Sequence, residues 1–322
     1  LNHSMGKYTD YKPPLWYRNR HVQTVLPTLF RKTGGVSYQR ERIQTPDDDF
    51  LDLDWSVSKG TILAVVSHGL EGDSQRAYVK GMVRALNKAG IDCLAWNYRT
   101  CGGETNRRLR MYHNGCTDDL DLVVRHAIAK GYAAIVLVGF SMGGNLSLLY
   151  LGQQSGQVLG QLKGAVAFSV PMDLKDSARQ LARGSNRIYM QRFLRMLHQK
   201  VKAKMVLFPD QIDDRGYAQI KDFKAFDDRY TAPIHGFKDA EDYWAKCSCG
   251  RLLGRIRVPS LIVNAADDPF LGASCYPNPQ TLNPHVRVEV PTYGGHVGFM
   301  GRRINGEYWS ESRAVAFIQS EI

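Results

Sequence analysis

Ala134-Ile-Val-Leu-Val-Gly139-Phe-Ser141-Met-Gly143-Gly144-Asn-Leu-Ser-Leu-Leu-Tyr150 joins an uninterrupted apolar run to a helical pattern through a glycine-flanked serine. A short apolar run bounded by such a turn reads as a strand covered on both faces, and the segment after it reads as a helix. Small residues two before and two after Ser141 permit a tight strand-to-helix turn, which lifts the serine hydroxyl above the end of the sheet. The backbone N–H of Met142, at the start of the helix, then faces any negative charge developing near that hydroxyl. A phosphate-cradling loop is the competing reading of glycines between strand and helix. The spacing here is G-x-S-x-G-G, not G-x-G-x-x-G, it stands on a late strand, and no G-x-x-x-x-G-K-[ST] occurs.

Working outward, the same strand-helix alternation recurs. Thr61–Val66 and Ile91–Asn97 read as strands around a helical stretch Ala77–Ala89; Thr117–Lys130 and Met142–Gln153 read as helices; Ala165–Val170, Ser260–Asn264 and Val286–Val290 read as further strands; and a last helix is expected over Glu307–Ser320. Val36–Ile43 and Phe50–Val57 flank the turn cluster Pro46-Asp-Asp-Asp49 and predict a β-hairpin. Thr117 is expected as an N-cap, with Asp118 and Asp119 complementing the helix dipole. The alternation lapses between 173 and 249, where no strand pattern occurs. Tyr189, Phe193, Met196, Leu197 and Val201 recur there at three- and four-residue steps among Arg192, Arg195, Lys200, Lys202 and Lys204, the mark of an amphipathic helix. The expected organisation is an α/β core over 1–172 and 250–322 with a helical cap inserted at 173–249. Tyr11–Phe30 is expected to strap across the core.

A serine nucleophile requires a base, and the base an orienting carboxylate, in the chain order serine, acid, histidine for this kind of turn. His296 stands in the glycine-flanked loop Tyr293-Gly-Gly-His-Val-Gly298, after the last strand. Asn264-Ala-Ala-Asp-Asp-Pro-Phe270 offers Asp267 and Asp268 past the preceding strand. Asp268 is the first choice because Pro269 constrains the turn beside it, and Asp267 remains the alternative. Asp173 is a third acid, better read as a helix cap. His68-Gly-Leu70-Glu-Gly72 follows an early strand and offers the Leu70 N–H as the second oxyanion donor beside that of Met142, with His68 organising the turn. Arg99, Arg107, Arg108 and Arg110 fall on the same rim, either as an anion site or, the preferred reading, as structural salt links.

Composition bounds the rest. The 322 residues, 43% hydrophobic and 23% charged, suffice for a large globular core. Forty-two Lys and Arg against 31 Asp and Glu give +11, which favours anionic partners without choosing among them. Nucleic acid is not expected, for want of a recognition motif, whereas peripheral contact between the basic cap and an anionic membrane surface is one reading of that charge. The six cysteines are spread along the chain and read as reduced thiols; Cys247-Ser-Cys249 lacks a second pair at zinc spacing, so no metal is expected. The longest apolar run, Ala133–Val138, falls far short of the roughly 18 residues of a membrane span. The first twenty residues show no apolar signal core, and a cytoplasmic location is expected.

Together Asn19-Arg-His21-Val-Gln-Thr-Val-Leu-Pro27, His68-Gly-Leu-Glu-Gly72, Asn97-Tyr-Arg-Thr-Cys-Gly-Gly103, Gly139-Phe-Ser-Met-Gly-Gly-Asn145, Ala266-Asp-Asp-Pro-Phe270 and Gly294-Gly-His-Val-Gly-Phe299 resemble the YheT-like, embryogenesis-associated branch of the α/β-hydrolases over nearly the whole chain. The resemblance implies a mostly parallel eight-stranded sheet with flanking helices. It also implies a cofactor-free serine esterase or lipase acting on short-chain esters or acylglycerols, with phospholipid cleavage in some eukaryotic relatives. Ser141, Asp268 and His296 are its implied triad. Thr100 departs from the pattern, where a glycine is expected. The competing readings are an acyltransferase or thioesterase on the same triad, and a non-catalytic lipid-binding protein on the same shell.

Overall fold

A computed structural model of the chain describes residues 11–154, 159–278, 282–300 and 307–322. After helix α1 (Arg20–Phe30), strands β1 (Gln39–Thr45) and β2 (Asp49–Ser56) form the expected hairpin, shifted by one to three residues from the sequence reading. Then follow β3 (Ile62–Ser67), α2 (Ala77–Lys88), β4 (Asp92–Asn97), α3 (Thr117–Ala129), β5 (Ala134–Phe140), α4 (Met142–Gln153) and β6 (Leu162–Phe168). Helices α5 (Leu174–Ala182), α6 (Arg187–Leu207), α7 (Phe223–Phe226), α8 (Ala232–His235) and α9 (Ala240–Cys247) precede β7 (Ser260–Val263), β8 (Val286–Glu289) and α10 (Trp309–Glu321). The sheet order is β1-β2-β4-β3-β5-β6-β7-β8. The β1-β2 and β2-β4 pairs are antiparallel and every later pair is parallel.

Alternate residues of the central strands enter separate cores. Leu63, Val65 and Leu137 pack with α3 and α4, whereas Ala64, Val66 and Val138 pack with α2 and α10. The two-residue period of a strand forces this split, and helices on both sides make the strands apolar throughout. Two local readings change. Strand β6 begins three residues earlier than predicted, because Lys163 and Gly164 carry no apolar signal although the backbone continues to pair with β5. At α3 the N-cap is Cys116, not Thr117, and no side chain caps it; Asp119 of the first turn is turned instead to the buried Arg99, with two contacts of 2.8 and 2.9 Å.

Between β6 and β7 the described chain is helical. Its own core gathers Leu181, Leu194, Leu197, Val201, Tyr217 and Phe226, and Phe270 of the sheet's rim joins that cluster. From Cys249 onward Leu252, Leu253 and Ile256 pack instead with the α3–α4 core, and Gly250 N–H donates to the Met172 carbonyl at 3.0 Å.

Candidate active site

The turn from β5 to α4 places Ser141 at φ 52°, ψ −117°, in the left-handed half of backbone space that a side chain adopts only when its surroundings force it. Close packing supplies the force. A Cβ on Gly143 would run into the Ser67 and His68 carbonyls of the β3 end, and one on Gly144 would meet Val170 Cγ2 at 2.8 Å. Ser141 N–H donates to the Phe168 carbonyl at 2.8 Å, tying the turn to β6.

Loops from three strand ends converge here. Ser141 Oγ lies 2.9 Å from His296 Nε2, and His296 Nδ1 lies 2.9 and 3.1 Å from the two carboxylate oxygens of Asp268. The Asp268 side chain is wholly buried, and its Oδ1 also accepts the Phe270 N–H at 2.9 Å. With Nδ1 donating to that carboxylate, Nε2 is left as the acceptor for the serine proton. Asp267 points elsewhere: its Oδ1 accepts the Gly295 N–H at 2.9 Å, and burial beside the Asp268 charge pushes its carboxyl up. The structure thus brings Ser141, His296 and Asp268 into one hydrogen-bonded chain and assigns Asp267 to the loop that carries His296.

Leu70 and Met142 both line the cavity at Ser141, and among the described residues neither N–H has an acceptor. His68 is buried behind this loop, its Nδ1–H donating to the Gly69 carbonyl at 2.8 Å while Tyr98 N–H approaches Nε2 at 3.4 Å. Burial lowers its pKa to about 3, so it stays neutral and structural. The rim arginines are salt links: Arg99 reaches Asp47, Asp49 and Asp119, and Arg110 reaches Asp118. Asp173 caps α5 through Asp176 N–H at 3.0 Å.

Three sets of residues escaped the sequence reading. Asn145, one residue past the glycine pair, clamps the end of the helical segment by donating to the Cys247 carbonyl at 2.8 Å and accepting Cys249 N–H at 2.9 Å. A buried amide in an otherwise apolar helix was its available signal. Helix α1 does more than strap the core: Thr24 Oγ1 accepts His296 N–H at 2.9 Å, and Thr24, Val25 and Thr28 line a cavity at the site. Finally, Lys200 of α6 reaches down to the Leu70 loop. Its Nζ donates to the Thr100 carbonyl at 2.7 Å and stands 3.8 Å from Glu71, whose carboxylate also takes the Tyr112 hydroxyl.

Two chambers of similar size, each about 1000 Å³ with its mouth included, meet at Ser141, Leu70, Phe193, Phe270 and His296. One runs beneath the helical segment and is walled by Met142, Leu174, Leu181, Leu197, Phe226 and Trp244. Asp227 lies buried on its wall, accepting Trp244 Nε1–H at 2.8 Å and the Thr231 hydroxyl at 2.6 Å; burial raises its pKa to about 7. The other chamber runs between α1 and α6 and includes Thr24, Thr28, Arg76 and Arg192. Among the described residues the cysteines are unbridged, no three His, Cys, Asp or Glu side chains gather as a metal set would, and no helix is long and apolar enough to cross a membrane.

Comparison with known proteins agrees with this architecture. The profile of the alpha/beta hydrolase fold family matches residues 65–302. YheT of Escherichia coli, assigned as an esterase, is 35% identical over 94% of this chain and 91% of its own length. Phospholipase ABHD3 of Mus musculus is 31% identical over 90% of this chain and 73% of its own, and the monoacylglycerol lipase of Saccharomyces cerevisiae is 28% identical over 91% and 66%. Among solved structures, the Pyrococcus furiosus esterase Pf2001 shares the fold with a TM-score of 0.58 at 17% identity, covering 90% of this chain and 98% of that one. The chain belongs to the α/β-hydrolase fold family, in the branch that contains YheT.

Proposed function

We propose that this chain is a carboxylic ester hydrolase acting through Ser141, His296 and Asp268, with lipid esters as its substrate class. The 2.9 Å contact from Ser141 Oγ to His296 Nε2, on a strained turn with the buried Asp268 behind the ring, carries this reading. As Ser141 Oγ attacks the ester carbonyl carbon, His296 Nε2 takes its proton and Asp268 stabilises the imidazolium. The carbonyl oxygen becomes an oxyanion facing the free Leu70 and Met142 amides; one such donor is typically worth about 3–4 kcal/mol of barrier. His296 then delivers the proton to the departing alkoxide. Water, deprotonated in its turn by His296, attacks the acyl-enzyme and releases the acid with Ser141 restored. No metal or organic cofactor takes part.

The two chambers suggest the division of the substrate. The acyl chain occupies the apolar chamber under residues 173–249, which act as the cap, and the alcohol leaves through the chamber between α1 and α6. The yeast and mouse relatives, a monoacylglycerol lipase and a phospholipase, support a lipid ester over an arbitrary small one. The test is hydrolysis of a p-nitrophenyl ester series from acetate to palmitate by the wild type beside Ser141→Ala. The expected result is chain-length-dependent turnover lost in the variant with its circular dichroism intact; equal rates in both proteins would remove Ser141 from the reaction.

A further inference from the structure

Of the outer side of α6, only Arg192 reaches the site, at the rim of the second chamber. The helix's inner residues Phe193, Leu197 and Lys200 face the chambers, whereas Ile188, Arg192, Arg195, Gln199, Lys202 and Val206, spaced by threes and fours, are all exposed. They form one continuous stripe on the opposite side. Its ends are bare aliphatic groups, Ile188 at 78% and Val206 at 81% exposure.

The charge on this stripe is unbalanced. Three exposed helical cations elsewhere have a carboxylate four residues away: Arg125 with Asp121, Lys224 with Asp228 and Lys246 with Asp242. Helix α6 contains no Asp or Glu, and among the described residues no acid pairs with Arg192, Arg195 or Lys202. A row of unneutralised cations between exposed aliphatic side chains is complementary to a surface that is anionic outside and apolar just beneath.

The stripe also adjoins the site. Helix α1 meets the start of α6 through His21 and Tyr189, 3.0 Å apart, and the chamber between the two helices has exposed Arg192 and Thr28 on its rim. Beside Thr28 stand Leu29 and Phe30, exposed at 62% and 71%. We propose that the outer face of α6, together with the exposed end of α1, is a docking surface for an anionic lipid bilayer, holding the mouth of this chamber against the headgroups. This goes beyond ester hydrolysis, which requires no surface.

The test is co-sedimentation of the full chain with vesicles of dialkyl-ether phosphatidylcholine, alone or with about 30 mol% of the phosphatidylglycerol analogue to supply surface charge. Ether lipids keep binding separate from hydrolysis. The wild type is expected to partition onto the anionic vesicles only, and less as salt rises. Arg195→Glu with Lys202→Glu should lower partitioning at least about tenfold, since each cation near such a surface contributes about fivefold. Ile188→Asp with Phe30→Asp should lower it severalfold, and all variants should hydrolyse soluble p-nitrophenyl acetate as the wild type does. Equal binding to neutral vesicles, no loss on charge reversal, or self-association without vesicle binding would each overturn the proposal. Soluble-ester turnover without vesicle binding would remove the docking surface and leave the enzyme; vesicle binding without turnover would do the reverse.

Discussion

The rim of the sheet and the helical segment above it place their functional groups by different means. At the rim, backbone geometry decides: Ser141 is held at positive φ by glycines that touch neighbouring strands, and Asp268 and His296 stand on the connections leaving β7 and β8. In the segment, side chains decide, through interdigitating aromatic and aliphatic groups with buried polar exceptions such as Asp227 and Lys204. A rim built from backbone tolerates little substitution and fixes the chemistry, whereas a wall built from side chains can change shape and selects what reaches it.

The largest expected effect tests the rim's positional strictness with two adjacent aspartates. Asp268→Asn should lower kcat about 10⁴-fold, because an amide misorients the imidazole tautomer. Asp267→Asn, which can still accept the Gly295 N–H through its carbonyl oxygen, should lower kcat by less than about tenfold. Equal losses would place both acids in the relay and erase the distinction.

Asp227 tests the segment by stability. Its folded pKa of about 7 exceeds the unfolded value of about 4, so its stabilising contribution is complete below pH 4 and is lost as pH rises through 7. Asp227→Asn keeps a carbonyl oxygen to accept Trp244 Nε1–H and an amide N–H to donate to the Thr231 hydroxyl oxygen, without the buried charge. Chemical denaturation at pH 8 should find it more stable than wild type by about 2–4 kcal/mol, with the difference vanishing near pH 4. A pH-independent difference would show that packing, not ionisation, sets the cost.

A smaller effect is expected where the two regions touch. Lys200→Met removes the cation beside buried Glu71 and loosens the Leu70 loop, and kcat should fall about three- to tenfold with KM changed less than twofold, since the oxyanion donor acts in the transition state. A change confined to KM would make Lys200 part of the substrate wall instead.

These regions also differed in how far they could be read from sequence. The apolar runs, the glycine-flanked Ser141 and the acid-then-histidine order of the last two loops each leave a local pattern, because strand period and turn chemistry are local. The choice of Asp268 over Asp267 was readable only as a preference, since side-chain direction depends on how the β7 loop meets Gly295. Helix α1 was obscured by Pro27 within it, although Asn19 caps it through the His21 and Val22 amides. In the helical segment Asp222 and Asp239 cap α7 and α9, helices that the sequence reading did not separate. The Glu71–Tyr112–Lys200 contact was not legible, because it joins three separate stretches through tertiary packing alone.

Fluorophosphonate labelling followed by peptide mass spectrometry reads the activation of Ser141 itself, because the probe reacts with a serine only when a base and an oxyanion site activate it. A single adduct on Ser141 is expected in the wild type and in Asp267→Asn, with labelling lost in His296→Ala at unchanged thermal stability. An adduct on another serine, or undiminished labelling of Ser141 without His296, would contradict this mechanism.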